Sequence, residues 1–167
     1  MAVDWRDLNG EWFNELGSNM TLTAVETGSL KGIYYSAVGN VPQEYPLSGR
    51  FDPTPTEAWT PNRVGVPVGW AVTFIYDDDD TDPPVHIHST TTWSGLFFDD
   101  NGGKPAKIIT QWLLTRSMQE SNIWESTHVG NDTFTRDKPT AAEIAKAREL
   151  KGGSPGDIFA RANQGSE

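Results

Sequence analysis

From Ile108 to Arg116 the chain reads as a strand with a period of two. On an extended strand Trp112 and Leu114 fall on one face, and Gln111, Leu113 and Thr115 on the other. A period of two commits this stretch to a sheet with one buried face. The next such run, Trp124-Glu-Ser-Thr-His-Val-Gly-Asn-Asp132-Thr-Phe-Thr135, brings an aspartate next to those indoles. A large ring pointing inward beside a carboxylate is an unusual core. It makes sense where the interior holds a polar ring with an apolar tail.

The same grammar recurs along the chain. Extended runs are expected at Glu11–Glu15, Asn19–Val25, Leu30–Ser36, Tyr45–Asp52, Val68–Tyr76, Val85–Phe98, Ala106–Arg116 and Trp124–Thr135. Turn chemistry separates them: Leu-Gly after Glu15, Thr27-Gly-Ser29, and Asp99-Asp-Asn-Gly-Gly-Lys104, where Asn-Gly-Gly accepts positive φ. A proline-rich loop is expected over Pro53–Pro67, because proline removes ladder donors. About eight short, consecutively connected strands predict an all-β, eight-stranded antiparallel up-and-down barrel. Strand count alone also admits a sandwich.

Composition narrows the partners. The chain of 167 residues is long enough for one real core. Its formal net charge of -10 leaves no basic face for nucleic acid and disfavours an anionic membrane surface. With no cysteine there are no disulfides, thiol nucleophiles or thiolate metal ligands. No apolar run reaches the roughly 18 residues of a membrane-spanning helix. The start, Met-Ala-Val-Asp-Trp-Arg, lacks the basic and apolar regions of a signal peptide. The acidic run Asp77–Asp80, with Asp82, is expected in a solvent-facing loop; its spacing is not that of an EF-hand, and no metal is assigned.

Beyond Asp137 the pattern changes. Pro139–Leu150 reads as a short helix with Thr140 as N-cap and Glu143 completing a capping box, stopped by Lys151-Gly-Gly-Ser-Pro-Gly156. The expected organisation is an N-terminal arm (1–9), a barrel domain (10–136) and an extension (137–167). Its tail, residues 157–167, is expected to be flexible or, through Ile158 and Phe159, to dock on a neighbouring subunit.

Five segments, in order, carry a resemblance: Trp12–Ser18, Gly32–Asn40, Thr91–Gly95, Thr110–Leu114 and Trp124–Asp132. Together they resemble the avidin and streptavidin family of biotin-binding proteins, from about Gly10 to about Thr135. The resemblance implies non-catalytic, high-affinity sequestration of biotin, held as ligand with no cofactor. It assigns Asn14, Ser18 and Tyr34 to the ureido oxygen, and Asp132 and Ser36 to the ureido N–H groups. Thr91 meets the sulfur, while Ser89 and the backbone N–H of Asn40 receive the carboxylate. Trp93, Trp112, Phe74, Leu16, Val38 and Leu114 form the walls, and Ser36–Gln43 forms a lid. Trp124 is implied to cap a neighbour's pocket in a homo-oligomer, most simply a tetramer, and secretion is implied as well.

Two departures qualify the pattern. Phe74 stands where the family carries a wall tryptophan, with Trp70 matching a deeper aromatic. The lost packing, about 1.5–3 kcal/mol, predicts affinity one to two orders of magnitude below the tightest relatives. His128 replaces an aliphatic residue, beside neighbours that match the subunit contact surface. There it would make assembly pH-sensitive, or else sit exposed at a rim. Two other function classes share parts of this pattern. A lipocalin-like carrier of another small ligand fits the barrel but has no use for Asn14, Ser18, Tyr34 and Asp132 together. A hydrolase pairing Asp132 with Glu15 would show turnover.

Overall fold

A computed structural model of the chain describes residues 3–37, 44–54, 64–80, 85–100 and 103–151. Eight strands, β1 (Gly10–Asn14), β2 (Asn19–Ala24), β3 (Ser29–Tyr35), β4 (Glu44–Phe51), β5 (Val66–Asp78), β6 (Val85–Phe98), β7 (Lys107–Arg116) and β8 (Thr127–Thr135), pair in chain order and close into a barrel. All pairings are antiparallel, as short connections require. The β1–β2, β3–β4, β5–β6 and β7–β8 connections therefore leave one end, here called the upper end, and the rest leave the lower end. This is the expected eight-stranded up-and-down barrel.

Burial follows the sequence alternation. Along β7, Ile108, Thr110, Trp112 and Leu114 are buried, while Ile109, Gln111, Leu113 and Thr115 are exposed. At the lower end the core is apolar and its polar atoms are engaged. Trp12 packs edge-to-face on Phe97 at 5.9 Å and donates its indole N–H to the Leu8 carbonyl at 2.9 Å. The Arg136 guanidinium lies 3.6 Å over the Trp12 ring. It donates to the carbonyls of Asp7, Asn9 and Glu11, so this cation is paired before it meets the core.

The barrel's seam is its thinnest ladder. Strands β1 and β8 share only the pairs Phe13↔Thr135 and Asn14↔Phe134. Beyond them the Glu15 carboxylate continues the closure by accepting the Thr133 N–H at 2.9 Å. The expected helix follows as α1 (Ala141–Lys151), and its capping box forms. Glu143 Oε2 accepts from the Thr140 N–H and hydroxyl, both at 2.8 Å, and the Glu143 N–H returns to Thr140 Oγ1 at 3.3 Å. Helix α1 reaches the barrel through Ile144, which packs on Gly17 in the β1–β2 turn. The Ile158 and Phe159 anchors lie outside the described residues.

Three local expectations change. Strand β5 begins at Val66 and includes Pro67, opposite Leu96. Strand β4 has already ended opposite Val68, so the missing N–H costs no ladder bond on that side, and the Pro67 carbonyl still accepts from Asp52. Asp77 is in β5 rather than in a loop. It is drawn into the ladder opposite His86, and its Oδ1 meets His86 Nδ1 at 2.8 Å and His88 Nε2 at 2.9 Å. Those contacts hold its carboxyl below the ordinary value. Trp124 does not begin a strand. The polar stretch Glu120–Glu125 winds into 3-10 turns, and β8 starts only at Thr127.

Candidate functional site

The turn from β1 to β2 builds the first wall of the site. Gly17 at φ +89° lets the chain reverse tightly, with the Asn14 N–H bonded to the Ser18 carbonyl at 2.9 Å. Asn14 Oδ1 accepts the N–H groups of Leu16 (3.1 Å) and Ser18 (2.9 Å). That fixes the orientation of the amide and leaves its NH2 buried, with no hydrogen-bond partner for Nδ2 among the described residues. Ser18 Oγ accepts the Ala37 N–H at 3.2 Å, tying the turn to the residues after β3. The same hydroxyl is hydrogen-bonded to the phenol of Tyr34 from β3.

The opposite wall comes from β6 and β8. Asn14 faces Phe134 across the seam, which puts Asp132, two residues earlier on the same inner face, diagonally beside it. Asp132 is 1% exposed. Its Oδ2 accepts the indole N–H of Trp93 at 2.9 Å, and its carbonyl accepts from the Thr110 hydroxyl at 3.1 Å. The Trp93 ring lies 5.3 Å from Tyr34 and stacks on Trp70 at 5.9 Å. Trp93 thus joins the carboxylate to the Asn14–Ser18–Tyr34 wall. Burial first, then the negative charge of Asp132, pushes the Tyr34 phenol far above its ordinary range against the opposing Ser18 bond. Tyr34 is therefore a proton donor throughout the neutral range.

The remaining expected residues divide three ways. Leu16, Ser36, Phe74, Ser89, Thr91, Trp112 and Leu114 are buried. Thr91 Oγ1, Ser89 Oγ, Trp112 Nε1 and Trp70 Nε1 have no hydrogen-bond partner among the described residues. Trp112 lies flat across Gly130, where a Cβ would stand 2.2 Å from its ring. Phe74 fills its place between Tyr34 (6.0 Å) and Tyr45 (4.8 Å). Val38, Asn40 and most of Ser36–Gln43 lie outside the described residues. Trp124 stands apart from this cluster on the 3-10 segment, 76% exposed.

His128 is repositioned. It falls on the inner face of β8, opposite Leu114, half-buried, with Nε2 buried and without a partner in the protein. Period-two counting back from Asp132 carries this signal, since 128 and 132 share a parity. The sequence reading also passed over Arg116, which ends β7 on the inner face opposite Ser89. The Ile108–Leu114 alternation extended by one step would have flagged it.

Buried donors at Asn14, Ser18 and Tyr34 and a buried carboxylate at Asp132, with aromatic walls between, suit a small ring carrying a carbonyl on one edge and an N–H on another. The fold and site define a closed barrel whose interior carries polar groups between aromatic walls. Residues 2–137 match the Avidin family. The chain is 34% identical over 134 residues to "Avidin" of Gallus gallus, covering 77% of each. It is 34% identical over 131 residues to "Avidin-related protein 4/5" of the same organism, again 77% of each. To "Fibropellin-1" of Strongylocentrotus purpuratus it is 28% identical over 135 residues, 80% of this chain but 11% of that much longer protein. The chain belongs to the avidin family.

Proposed function

We propose that this protein binds biotin inside the barrel, holds it unchanged and thereby sequesters it. The observation that carries the reading is the convergence of Asn14, Ser18 and Tyr34 on one side of Trp93 with Asp132 on the other. Three donors on one ureido oxygen and a carboxylate facing a ureido N–H polarise the ring from both edges, and each bond is strengthened by the dry surroundings. Thr91 faces the ring sulfur, Trp93 and Trp112 wall the bicycle with Leu16, Phe74 and Leu114, and Ser36 accepts the second N–H. Val38 and Asn40 complete the assignment from the β3–β4 connection. The aromatic walls are held by packing on one another, which limits the ordering entropy lost on binding.

Glu15, the other carboxylate near Tyr34, is held by the Thr133 N–H in the seam. That favours binding over hydrolysis, as does a site whose polar groups match a whole ring rather than one bond. A carrier of an unrelated apolar ligand would have no use for four buried polar side chains. Homo-oligomerisation is part of the proposal. Exposed Leu113 and Val129 are partners across β7 and β8, and Ile123 and Trp124 extend that apolar surface beyond β8. A second copy would cover it, with Trp124 reaching the neighbouring pocket, and a tetramer meets this most simply. The barrel (10–136) is the binding unit and 137–167 an extension. No helix among the described residues is long and apolar enough to cross a membrane, and we place the protein outside the cell on the family's account. Size-exclusion mass with and without biotin tests assembly and ligand linkage together. A monomer unchanged by biotin would contradict the oligomeric part.

A further inference from the structure

The upper end of the barrel carries a cross-strand row of which the family resemblance accounts for Ser89 alone. Ser89 of β6, Arg116 of β7 and Ser126 before β8 stand side by side. Ser89 and Arg116 are ladder partners, and the Arg116 N–H bonds the Ser126 carbonyl at 2.9 Å. The Ser117 N–H bonds the His88 carbonyl at 2.8 Å, so the backbone of Arg116 is fixed from both sides. Its side chain is 19% exposed. Nε donates to the Glu125 carbonyl at 3.3 Å, and Nη2 lies 3.9 Å from the Glu125 carboxylate, too far for a strong ion pair. The guanidinium is thus propped at the rim with donors to spare. It borders an open groove of about 370 Å³ at the rim, between inward-facing Phe74 and Ser89 and outer-face residues that include Ile75, Thr115 and His88, which Asp77 engages. Ser89 Oγ and His128 Nε2 are buried polar atoms without a protein partner on the same inner face.

A cation in this position is informative because the chain as a whole carries a net charge of -10. An anionic group arriving at the rim meets repulsion from most of the surface, and a fixed guanidinium offsets this locally with a forked pair of N–H donors. We propose that Arg116 is the specificity-determining residue for the ligand's tail. A carboxylate leaving the interior past Ser89 is received by Arg116, so the pocket prefers an ionised acid over its neutral amide. This deepens the biotin reading and rests on it.

The test compares biotin with biotinamide, which share the ring and differ in tail charge, on the full chain by competition binding and dissociation rate. The unmutated protein is expected to prefer biotin by about tenfold or more, the scale of one charge-assisted hydrogen bond. Arg116→Gln should bring the two ligands to within about threefold of each other by weakening biotin alone. Arg116→Lys, which keeps the charge and loses the fork, should retain part of the preference and serves also if the glutamine variant folds poorly. An unchanged preference in Arg116→Gln, or equal weakening of both ligands, overturns the inference. Tight binding of both ligands by the unmutated protein without preference overturns it too, and leaves the ring site standing. Silence toward both overturns the two readings at once.

Discussion

The two ends of this barrel use polar groups in opposite ways. At the lower end the indole and the guanidinium that meet the core both have protein partners. The Trp12 indole is bonded to Leu8, and Arg136 to the carbonyls of Asp7, Asn9 and Glu11. In the middle and at the upper end, Asn14 Nδ2, Thr91 Oγ1, Ser89 Oγ and the indole nitrogens of Trp70 and Trp112 are buried without one. A protein core tolerates such atoms only at a cost of about 1–3 kcal/mol each, so their clustering on one inner surface identifies a surface shaped for something else. The lower half is built to be stable, and the upper half to be complementary.

Substitutions should separate these two roles. The largest effect is expected from Trp12→Ala, which removes a buried indole and strips Arg136 of its ring. It should lower unfolding free energy in denaturant by about 3–5 kcal/mol, with ligand affinity of the folded fraction little changed. Asp132→Asn should do the reverse. It weakens ligand binding by about 1.5–3 kcal/mol through loss of a charge-assisted bond, while the ligand-free melting temperature holds or rises because a buried charge has gone. Equal damage to stability and binding from either variant would break the comparison. Gly130→Ala places a methyl 2.2 Å from the Trp112 ring. The indole must move into the site, so binding should fall by about 1–3 kcal/mol and tryptophan fluorescence should shift.

A pH series sharpens the same contrast. The Tyr34 phenol is raised in the folded state above its ordinary value of 10.0. Above that pH the unfolded chain releases this proton and the folded chain keeps it, so stability falls as pH rises, by up to about 1.4 kcal/mol per pH unit. Tyr34→Phe should flatten that alkaline slope; an unchanged slope would place its cause elsewhere. The smallest effect is expected at the extension. The Glu143 carboxyl is held below its ordinary value by its bonds to Thr140. Its contribution to α1 is present above the ordinary carboxylate value and fades as pH falls through the lowered one. Amide protection in α1, relative to the intrinsic exchange rate, should be lost in acid before protection in the barrel is. Deleting residues 138–167 should then alter oligomer mass or ligand-free stability, since Ile144 touches the turn that carries Asn14 and Ser18.

What was legible in the sequence followed from burial. The period of two along β7 put Trp112 and Leu114 on the buried face, although Ile109 and Leu113 leave the exposed face partly apolar. Long-range pairing was not visible in the same way. Asp77 reads as loop because four aspartates in a row suggest solvent, yet His86 and His88 across the ladder hold it in β5. Trp124 reads as the start of a strand because it precedes one. With no inner face to fill, it rides on 3-10 turns instead. His128 was judged by its exposed neighbours rather than by its own parity. Arg116 was missed because a charged residue at a strand end reads as a cap, and only the register with Ser89 shows which way it faces.

Calorimetric titration of the purified full chain with biotin bears most directly on whether the buried donors and the carboxylate form one ligand site. One tightly bound biotin per chain, with heat sharply reduced in Asp132→Asn, is the result expected. No heat at any concentration from the unmutated protein, in a sample whose melt shows it folded, would contradict the account.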